Sequence, residues 1–160
     1  MQNITVLCVG KLKEKFYADA CAEYQKRLTR CCKLSLVELS EERLPENPSA
    51  AQIEAALERE AAAIEEHLPR GGTVAALCVE GKPLSSEELS ETLARCAMSG
   101  AGQVTFVIGG SFGLAERVKR AADLRLSLSR MTFPHHLARV MLLEQLYRAY
   151  QIQSGTKYHK

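Results

Sequence analysis

The amino-acid sequence predicts an α/β fold with a mainly parallel sheet and helices on both faces. Three observations support this fold class. Strand-like segments alternate with amphipathic segments five times along the chain, which is typical of strands joined by crossover helices. The segment 73–79 is apolar throughout, as expected for a strand covered on both faces. No linker divides the 160 residues, of which 46% are hydrophobic, so we expect a single domain over 1–160.

The first half of the chain contains two predicted strands and two predicted helices. Residues 3–9 are apolar and β-branched and residues 33–39 alternate, so both are predicted strands. Residues 14–31 carry apolar side chains at four-residue spacing from Phe16 onward, which predicts an amphipathic helix. A second helix, rich in Ala and Glu, is expected over 50–67 after a polar loop with two prolines.

The second half continues the alternation of strand and helix. The predicted strands are 73–79, 103–108 and 124–129, and the predicted helices are 85–98, a short helix ending near residue 122, and 134–152. Ser85 and Glu88 form a capping-box pattern at one helix start, and Pro134 stands where a helix-opening proline belongs. The predicted order is therefore βαβαβαβαβα.

Ligands in parallel α/β sheets bind beyond the carboxyl ends of the strands, so the loops at that edge are the candidate site. Three loops follow predicted strands there, at 77–81, 109–113 and 129–134. Their place in the strand order makes them candidates for one shared site.

The stretch "FVIGGSFGL" at 106–114 is a glycine turn after a predicted strand, but it is not a dinucleotide fingerprint. Its glycines do not match G-x-G-x-x-G in any frame, the turn follows the fourth strand and not the first, and the Walker lysine is absent. Glycines without a Cβ let the main chain approach a flat ligand closely and permit positive φ. A plain tight turn is the alternative.

The loop after the last predicted strand combines polar and apolar groups. Ser129 and Thr132 supply hydrogen-bonding groups, and Met131 and Phe133 supply apolar walls. Such a pocket suits an uncharged heterocycle such as adenine.

The last predicted helix, 134–152, is apolar around most of its girth. A helix that is apolar on two sides usually has two partners, so we expect one to be the sheet and the other a second copy of this chain. His135 and His136 at its start are candidate bases, but packing or hydrogen bonding is the commoner role for such histidines.

Charge is unevenly distributed in a chain whose net charge is only +2. Residues 1–116 hold 12 Lys or Arg and 17 Asp or Glu, whereas residues 117–160 hold 9 and 2. The basic C-terminal quarter favours a polyanionic partner, and scattered surface charge is the alternative. The residues expected to contact phosphates are Arg117, Lys119, Arg120, Arg125 and Arg130.

Cysteine usage and hydropathy limit the class of protein. The six cysteines include no C-x-x-C pair, so we expect reduced, mostly buried thiols and no metal site. No apolar run is long enough to span a membrane and the N-terminus lacks the pattern of a signal peptide, so a cytoplasmic protein is expected.

Several motifs resemble one family. "FVIGGSFGL", "LSLSRMTFPHHLARVMLLEQLYRAYQI" and the terminal "GTKYHK" resemble the SPOUT class of knotted methyltransferases, and more narrowly the ribosomal RNA large-subunit methyltransferase H family. The resemblance covers the whole chain. "ALCVEGK" is a departure, because an acidic residue commonly follows the leucine in the family, and this chain has Cys78 there.

The resemblance implies a fold, a reaction and a binding site. It implies a deep C-terminal trefoil knot and the methylation of N3 of a pseudouridine in 23S rRNA, with the assembled ribosome as the expected substrate. The implied methyl donor is S-adenosyl-L-methionine, held by Leu77, Gly109, Leu128, Ser129, Arg130, Met131, Thr132 and Phe133. The catalytic candidates are Arg139, Tyr158 and His159. We expect the short basic tail that carries Tyr158 and His159 to fold over a site, either in its own subunit or across a dimer interface.

Two other classes remain as alternatives at this point. A dimeric rRNA-binding module without catalysis would bind rRNA but not S-adenosylmethionine. A flavodoxin-like domain would need acidic or phosphate-binding residues at the end of the first strand, where this chain has "VGKL".

Overall fold

The predicted order of strands and helices is confirmed by the computed structural model, which describes residues 1–160. The strands are β1 (Asn3–Val9), β2 (Lys33–Leu39), β3 (Thr73–Pro83), β4 (Gln103–Ile108) and β5 (Leu124–Ser127). The helices are α1 (Lys15–Leu28), α2 (Ala50–His67), α3 (Ser86–Met98), α4 (Glu116–Ala121) and α5 (His135–Gln153).

The five strands form one parallel sheet in the order β2-β1-β4-β3-β5. Successive side chains of a strand point to opposite faces, so the interior strand β1 contributes to two cores. Ile4 and Val6 join a cluster with α1, α3 and α5 on one face. Leu7 and Val9 join a smaller cluster with α2 and α4 on the other. The prediction of helices on both faces is therefore confirmed.

The helix starts follow their sequence patterns. At α3, the Glu88 amide donates to Ser85 Oγ at 3.0 Å, and the Ser85 amide donates to Glu88 Oε2 at 2.7 Å, which confirms the capping box. Ser49 and Gln52 form the same arrangement at α2. Pro134 immediately precedes α5, as predicted.

The ends of β3 and β5 differ from their predicted bounds, because the pairing between these two strands is irregular. β3 continues to Pro83, beyond the predicted end at residue 79, and β5 stops at Ser127. Leu126 pairs with both Leu77 and Lys82, so residues 78–81 bulge out of the ladder. A Cβ at Gly81 would lie 2.8 Å from the Arg125 carbonyl carbon, so only glycine allows this close approach.

All six cysteines are free thiols, and four of them are buried, as predicted. Burial raises the pKa of Cys8 to about 12. No helix of the structure combines the length and the apolar character that crossing a membrane requires.

Candidate functional site

One pocket of about 660 Å³ lies at the carboxyl edge of the sheet, and the three loops selected from the strand order all line it. Leu77 comes from β3, Gly109 follows β4, and the remaining residues follow β5. Of the eight residues predicted to bind a cofactor, seven line this pocket: Leu77, Gly109, Leu128, Ser129, Met131, Thr132 and Phe133. The structure therefore brings together side chains that are more than 50 residues apart in sequence.

Arg130 is the predicted cofactor residue that does not line the pocket. It is exposed, next to Met131, which is 73% exposed. Two local hydrogen bonds shape this loop: the Ser127 hydroxyl donates to the Ser129 carbonyl at 2.8 Å, and the Met131 amide donates to Ser129 Oγ at 3.0 Å. Ser129 is thus engaged with its own loop.

The β3 bulge supplies a second wall of the pocket. Cys78, Val79 and Glu80 line it because the register shift turns them away from the ladder. Ser127 Oγ also lies 2.9 Å from the Val79 carbonyl oxygen, so its single proton is shared between the Val79 and Ser129 carbonyls and links the bulge to the end of β5. Cys78 therefore faces the pocket as a half-buried thiol whose pKa is raised by burial.

The glycine loop is tightly folded, and the positive φ expected of its glycines from the sequence is found at Gly113. A Cβ at Gly109 would meet the main chain of Gly113, and a Cβ at Gly110 would lie 2.6 Å from Glu41 Oε1. Gly113 has a φ of +80°, a conformation that favours glycine. The glycines thus allow the loop to fold on itself and against Glu41, and the pocket takes its shape from that fold.

Glu41 is a residue of this site that sequence reasoning missed. Its carboxylate accepts the Ser111 amide at 2.8 Å, so the loop after β2 holds the glycine loop. Burial alone would raise the pKa of Glu41, but the hydrogen bonds from Ser111 and the nearby histidines hold it below its usual value. Nothing in the local pattern of the polar loop distinguishes Glu41 from its acidic neighbours.

Lys119 lies in the pocket wall and not on a free surface, which corrects its prediction as a phosphate contact. Its Nζ pairs with Glu80 at 2.6 Å and with Glu116 at 3.0 Å. The hydrogen bond from Lys119 lowers the pKa of Glu80. Arg117 is similarly paired, with Glu58 at 2.9 Å and Glu65 at 3.3 Å.

The remaining basic candidates are placed differently. Arg120, Arg125 and Arg130 are exposed. These three residues, and not all five predicted ones, are therefore positioned to meet phosphates from solution.

His135 lines the pocket at the start of α5. Its Nε2 is buried without a hydrogen-bond partner, near Gly10. Burial, followed by the neighbouring His136, lowers the pKa of His135, so its imidazole is neutral near pH 7.

Arg139 is one of the three predicted catalytic residues, none of which lines the pocket. Its side chain is 1% exposed, and it donates to Glu38 Oε2 at 2.7 Å and to the Gly10 carbonyl at 3.0 Å. It joins α5 to the ends of β1 and β2. In this position Arg139 supports the carboxyl edge and does not reach a ligand in the pocket.

Tyr158 and His159 pack on their own subunit, outside the pocket. The Tyr158 ring stands edge-on to Tyr147 with centroids 4.9 Å apart, and its hydroxyl donates to Glu144 at 3.3 Å. His159 Nε2 lies 2.6 Å from Glu87 Oε1. Glu144 lines a second cavity of about 460 Å³, and Leu128 lines both cavities. The tail therefore lies beside the second cavity.

The structure contains no group of three or more His, Cys, Asp or Glu side chains placed to hold a metal ion. The polar groups of the pocket are instead hydroxyls, main-chain groups, the Glu80–Lys119 ion pair, the Cys78 thiol and the His135 imidazole. These groups suit an organic ligand.

Comparison with known proteins identifies the family. The family described as "Predicted SPOUT methyltransferase" matches residues 2–159. The chain is 51% identical over 159 residues to the ribosomal RNA large subunit methyltransferase H of Pelotomaculum thermopropionicum, and 46% identical over 158 residues to that of Clostridioides difficile. Each alignment covers 99% of both chains. The solved structure of a probable methylase family protein from Haemophilus influenzae matches 99% of this chain and 71% of its own, with 14% identity and a TM-score of 0.56, which supports the fold.

Proposed function

The chain belongs to the SPOUT methyltransferase family, and from this membership we propose that it methylates ribosomal RNA of the large subunit. The relatives that match it end to end carry that activity in their name. The proposed target is N3 of a pseudouridine in 23S rRNA, within the assembled ribosome in the cytoplasm. The observation that carries this proposal is the convergence of three loops, from β3, β4 and β5, on one pocket.

S-adenosylmethionine is the proposed methyl donor, and the pocket fits it in three respects. The volume of about 660 Å³ falls in the range of small-molecule sites. Leu77, Leu128 and Phe133 offer apolar surface for a flat heterocycle. The glycine loop places main-chain amide and carbonyl groups in the pocket wall, and these uncharged groups are suited to hydrogen-bond a ligand. When bound, the donor supplies a methyl group that its sulfonium already activates.

The chain's own task is to position the base and to accept a proton, because N3 must lose its proton when it is methylated. We assign the proton acceptor to His159 and the orientation of the base to Tyr158. Arg139 keeps the carboxyl edge in place through Glu38 and Gly10, and so acts as a positioning residue.

The tail reaches a pocket most simply in a homodimer. Tyr158 and His159 do not contact the pocket of their own subunit. Tyr158 instead packs against Tyr147 and Glu144 of α5, a helix whose apolar surface is incompletely covered. The half-buried apolar residues of α5 are Leu137, Val140, Met141, Tyr147 and Ile152. We propose that a second copy covers this face, so that the tail of one subunit completes the pocket of the other.

We also propose that residues 1–160 form one methyltransferase domain and that its C-terminal part forms a trefoil knot. Two features support the knot. β5 adds to the sheet beside β3, at the edge, and α5 then returns to pack between α1 and α3. The β3 bulge is bonded to Ser127, where the chain leaves β5. A crystal structure traced through 77–134 tests the threading directly.

Methyl transfer to ribosomes tests the proposed activity. The protein is incubated with methyl-labelled S-adenosylmethionine and ribosomes from a strain that lacks the enzyme, and the label is mapped on the rRNA. Ribosomes from a strain with the enzyme are the matched control, because their site is already modified. Free 23S rRNA in a parallel reaction tests the need for assembly.

The outcomes separate the proposal from its alternative. Label at one pseudouridine, and none in the control ribosomes, is the expected result. Binding to ribosomes without any label would contradict the proposal and would favour a non-catalytic rRNA-binding module.

A further inference from the structure

Phe16 is a large aromatic side chain that the fold does not bury. The sequence pattern placed it on the apolar face of α1, but in the structure Phe16 is 65% exposed, whereas Leu28 at the other end of the helix is fully buried. Phe16 lies in the first turn of α1, directly after the loop that follows β1. A helix that follows a strand begins at the strand's carboxyl end, so Phe16 lies at the same edge of the sheet as the pocket.

A series of aromatic rings connects Phe16 to the pocket. The centroids of Phe16 and Tyr17 are 4.4 Å apart, those of Tyr17 and His136 are 6.0 Å apart, and those of His136 and His135 are 4.1 Å apart. His135 lines the pocket itself. The exposed ring is thus the outer end of an aromatic series that begins at the proposed methylation site.

The charge around the exposed ring is positive. Residues 10–17 contain three lysines and one acidic residue. Lys11 and Lys13 are exposed, whereas Lys15 pairs with Asp19 at 2.7 Å. The acidic residue, Glu14, lies 3.6 Å from His136 Nδ1. Two lysines therefore remain free beside Phe16.

An exposed aromatic ring flanked by free cations fits single-stranded RNA, since bases stack on the ring and phosphates meet the cations. It fits a second copy of the chain poorly, because lysine is depleted at protein interfaces and the incompletely covered apolar face is on α5. We infer that Phe16, Lys11 and Lys13 form a contact surface for an unpaired nucleotide that flanks the methylated base. This inference rests on the proposed function, since it takes rRNA as the substrate.

The test compares Phe16→Ala with Phe16→Trp, which keeps a stacking ring. Met98→Ala is the control, because Met98 is 87% exposed but ends α3 at the opposite edge of the sheet. For Phe16→Ala we expect kcat/KM for ribosomes to fall about tenfold, the scale of one lost base-stacking contact. Phe16→Trp and Met98→Ala should stay near the parent value. Affinity for S-adenosylmethionine, measured by calorimetry, should be unchanged in all three.

Direct RNA binding separates this inference from the proposed activity. Anisotropy of a short fluorescein-labelled single-stranded RNA should show weaker binding to Phe16→Ala. In Lys11→Ala/Lys13→Ala it should show a slope against log salt that is smaller by about 1.4, as expected for two lost phosphate contacts on a single strand. If the parent binds this RNA through Phe16 but does not methylate ribosomes, the proposed function is wrong, whereas the RNA-contact surface at Phe16 is supported.

Two results would overturn the inference. One is a Phe16→Ala variant that matches the parent in both RNA binding and kcat/KM. The other is a Phe16→Ala variant that becomes monomeric in light scattering, which would make the ring a subunit contact.

Discussion

Replacing Gly109 by alanine tests the pocket at its most constrained point. A Cβ at this position would lie 2.5 Å from the Gly113 carbonyl carbon and 3.0 Å from its Cα, and closer still to the carbonyl oxygen. These atoms are main chain, so they cannot rotate away as a flexible side chain would. The turn is also closed by a hydrogen bond from the Gly113 amide to the Gly110 carbonyl at 3.1 Å.

The cost in stability follows from how far the added Cβ and the Gly113 main chain must move apart. An ordinary contact between carbon atoms is about 3.5 Å, so the two sides of the loop must separate by about 1 Å. Overpacking of this kind costs about 1–3 kcal/mol in stability. Because the displaced loop is a wall of the pocket, we expect affinity for S-adenosylmethionine to fall by at least about tenfold, which corresponds to about 1.4 kcal/mol of lost binding free energy.

Two other glycines separate the steric effect from the conformational one. A Cβ at Gly113 meets nothing within 4 Å, but its φ of +80° makes Gly113→Ala cost roughly 1–2 kcal/mol through the backbone alone. Gly100 has neither constraint, so Gly100→Ala should behave as the parent. Calorimetry gives the affinity of each variant, and thermal unfolding gives its stability. Parent-like affinity for Gly109→Ala would refute the assignment of the pocket.

Three further changes test the neighbours of the pocket. Glu41→Ala removes the acceptor of the Ser111 amide and should weaken S-adenosylmethionine binding about tenfold in calorimetry. Glu41→Gln keeps an acceptor oxygen and should bind like the parent. Equal affinity of the parent and both variants would contradict the role of Glu41. Met141→Asp should give a folded monomer in light scattering, because Met141 is half-buried on the proposed dimer face of α5. Leu146→Asp should instead unfold the subunit, since Leu146 is fully buried. A dimeric Met141→Asp would show that this face of α5 is not the subunit interface. Deleting 156–160 should preserve circular dichroism and cofactor affinity but reduce methyl transfer by about a hundredfold or more; a parent-like rate would exclude the tail from the reaction.

The local sequence predicted the elements because each depends on neighbouring residues. Ser85 and Glu88 are three positions apart, so their capping box is visible in the sequence and is confirmed. The nearly continuous apolar run of β1 likewise reflects its burial on both faces of the sheet. Phe16 shows the limit of such patterns: its spacing matched the apolar face of α1, but no element of the fold covers the first turn there.

The sequence by itself determined the fold class, the family and the three loops of the pocket, because strand order alone places those loops at one edge. Only the tertiary structure decided which polar groups complete the site. Glu41 meets Ser111 across 70 positions of sequence, and Arg139 meets Gly10 across 129. Such contacts depend on how whole elements pack, and a side chain carries no local mark of the partner that packing will bring to it. For the same reason Lys119, which composition assigned to RNA, is held in the pocket wall by Glu80.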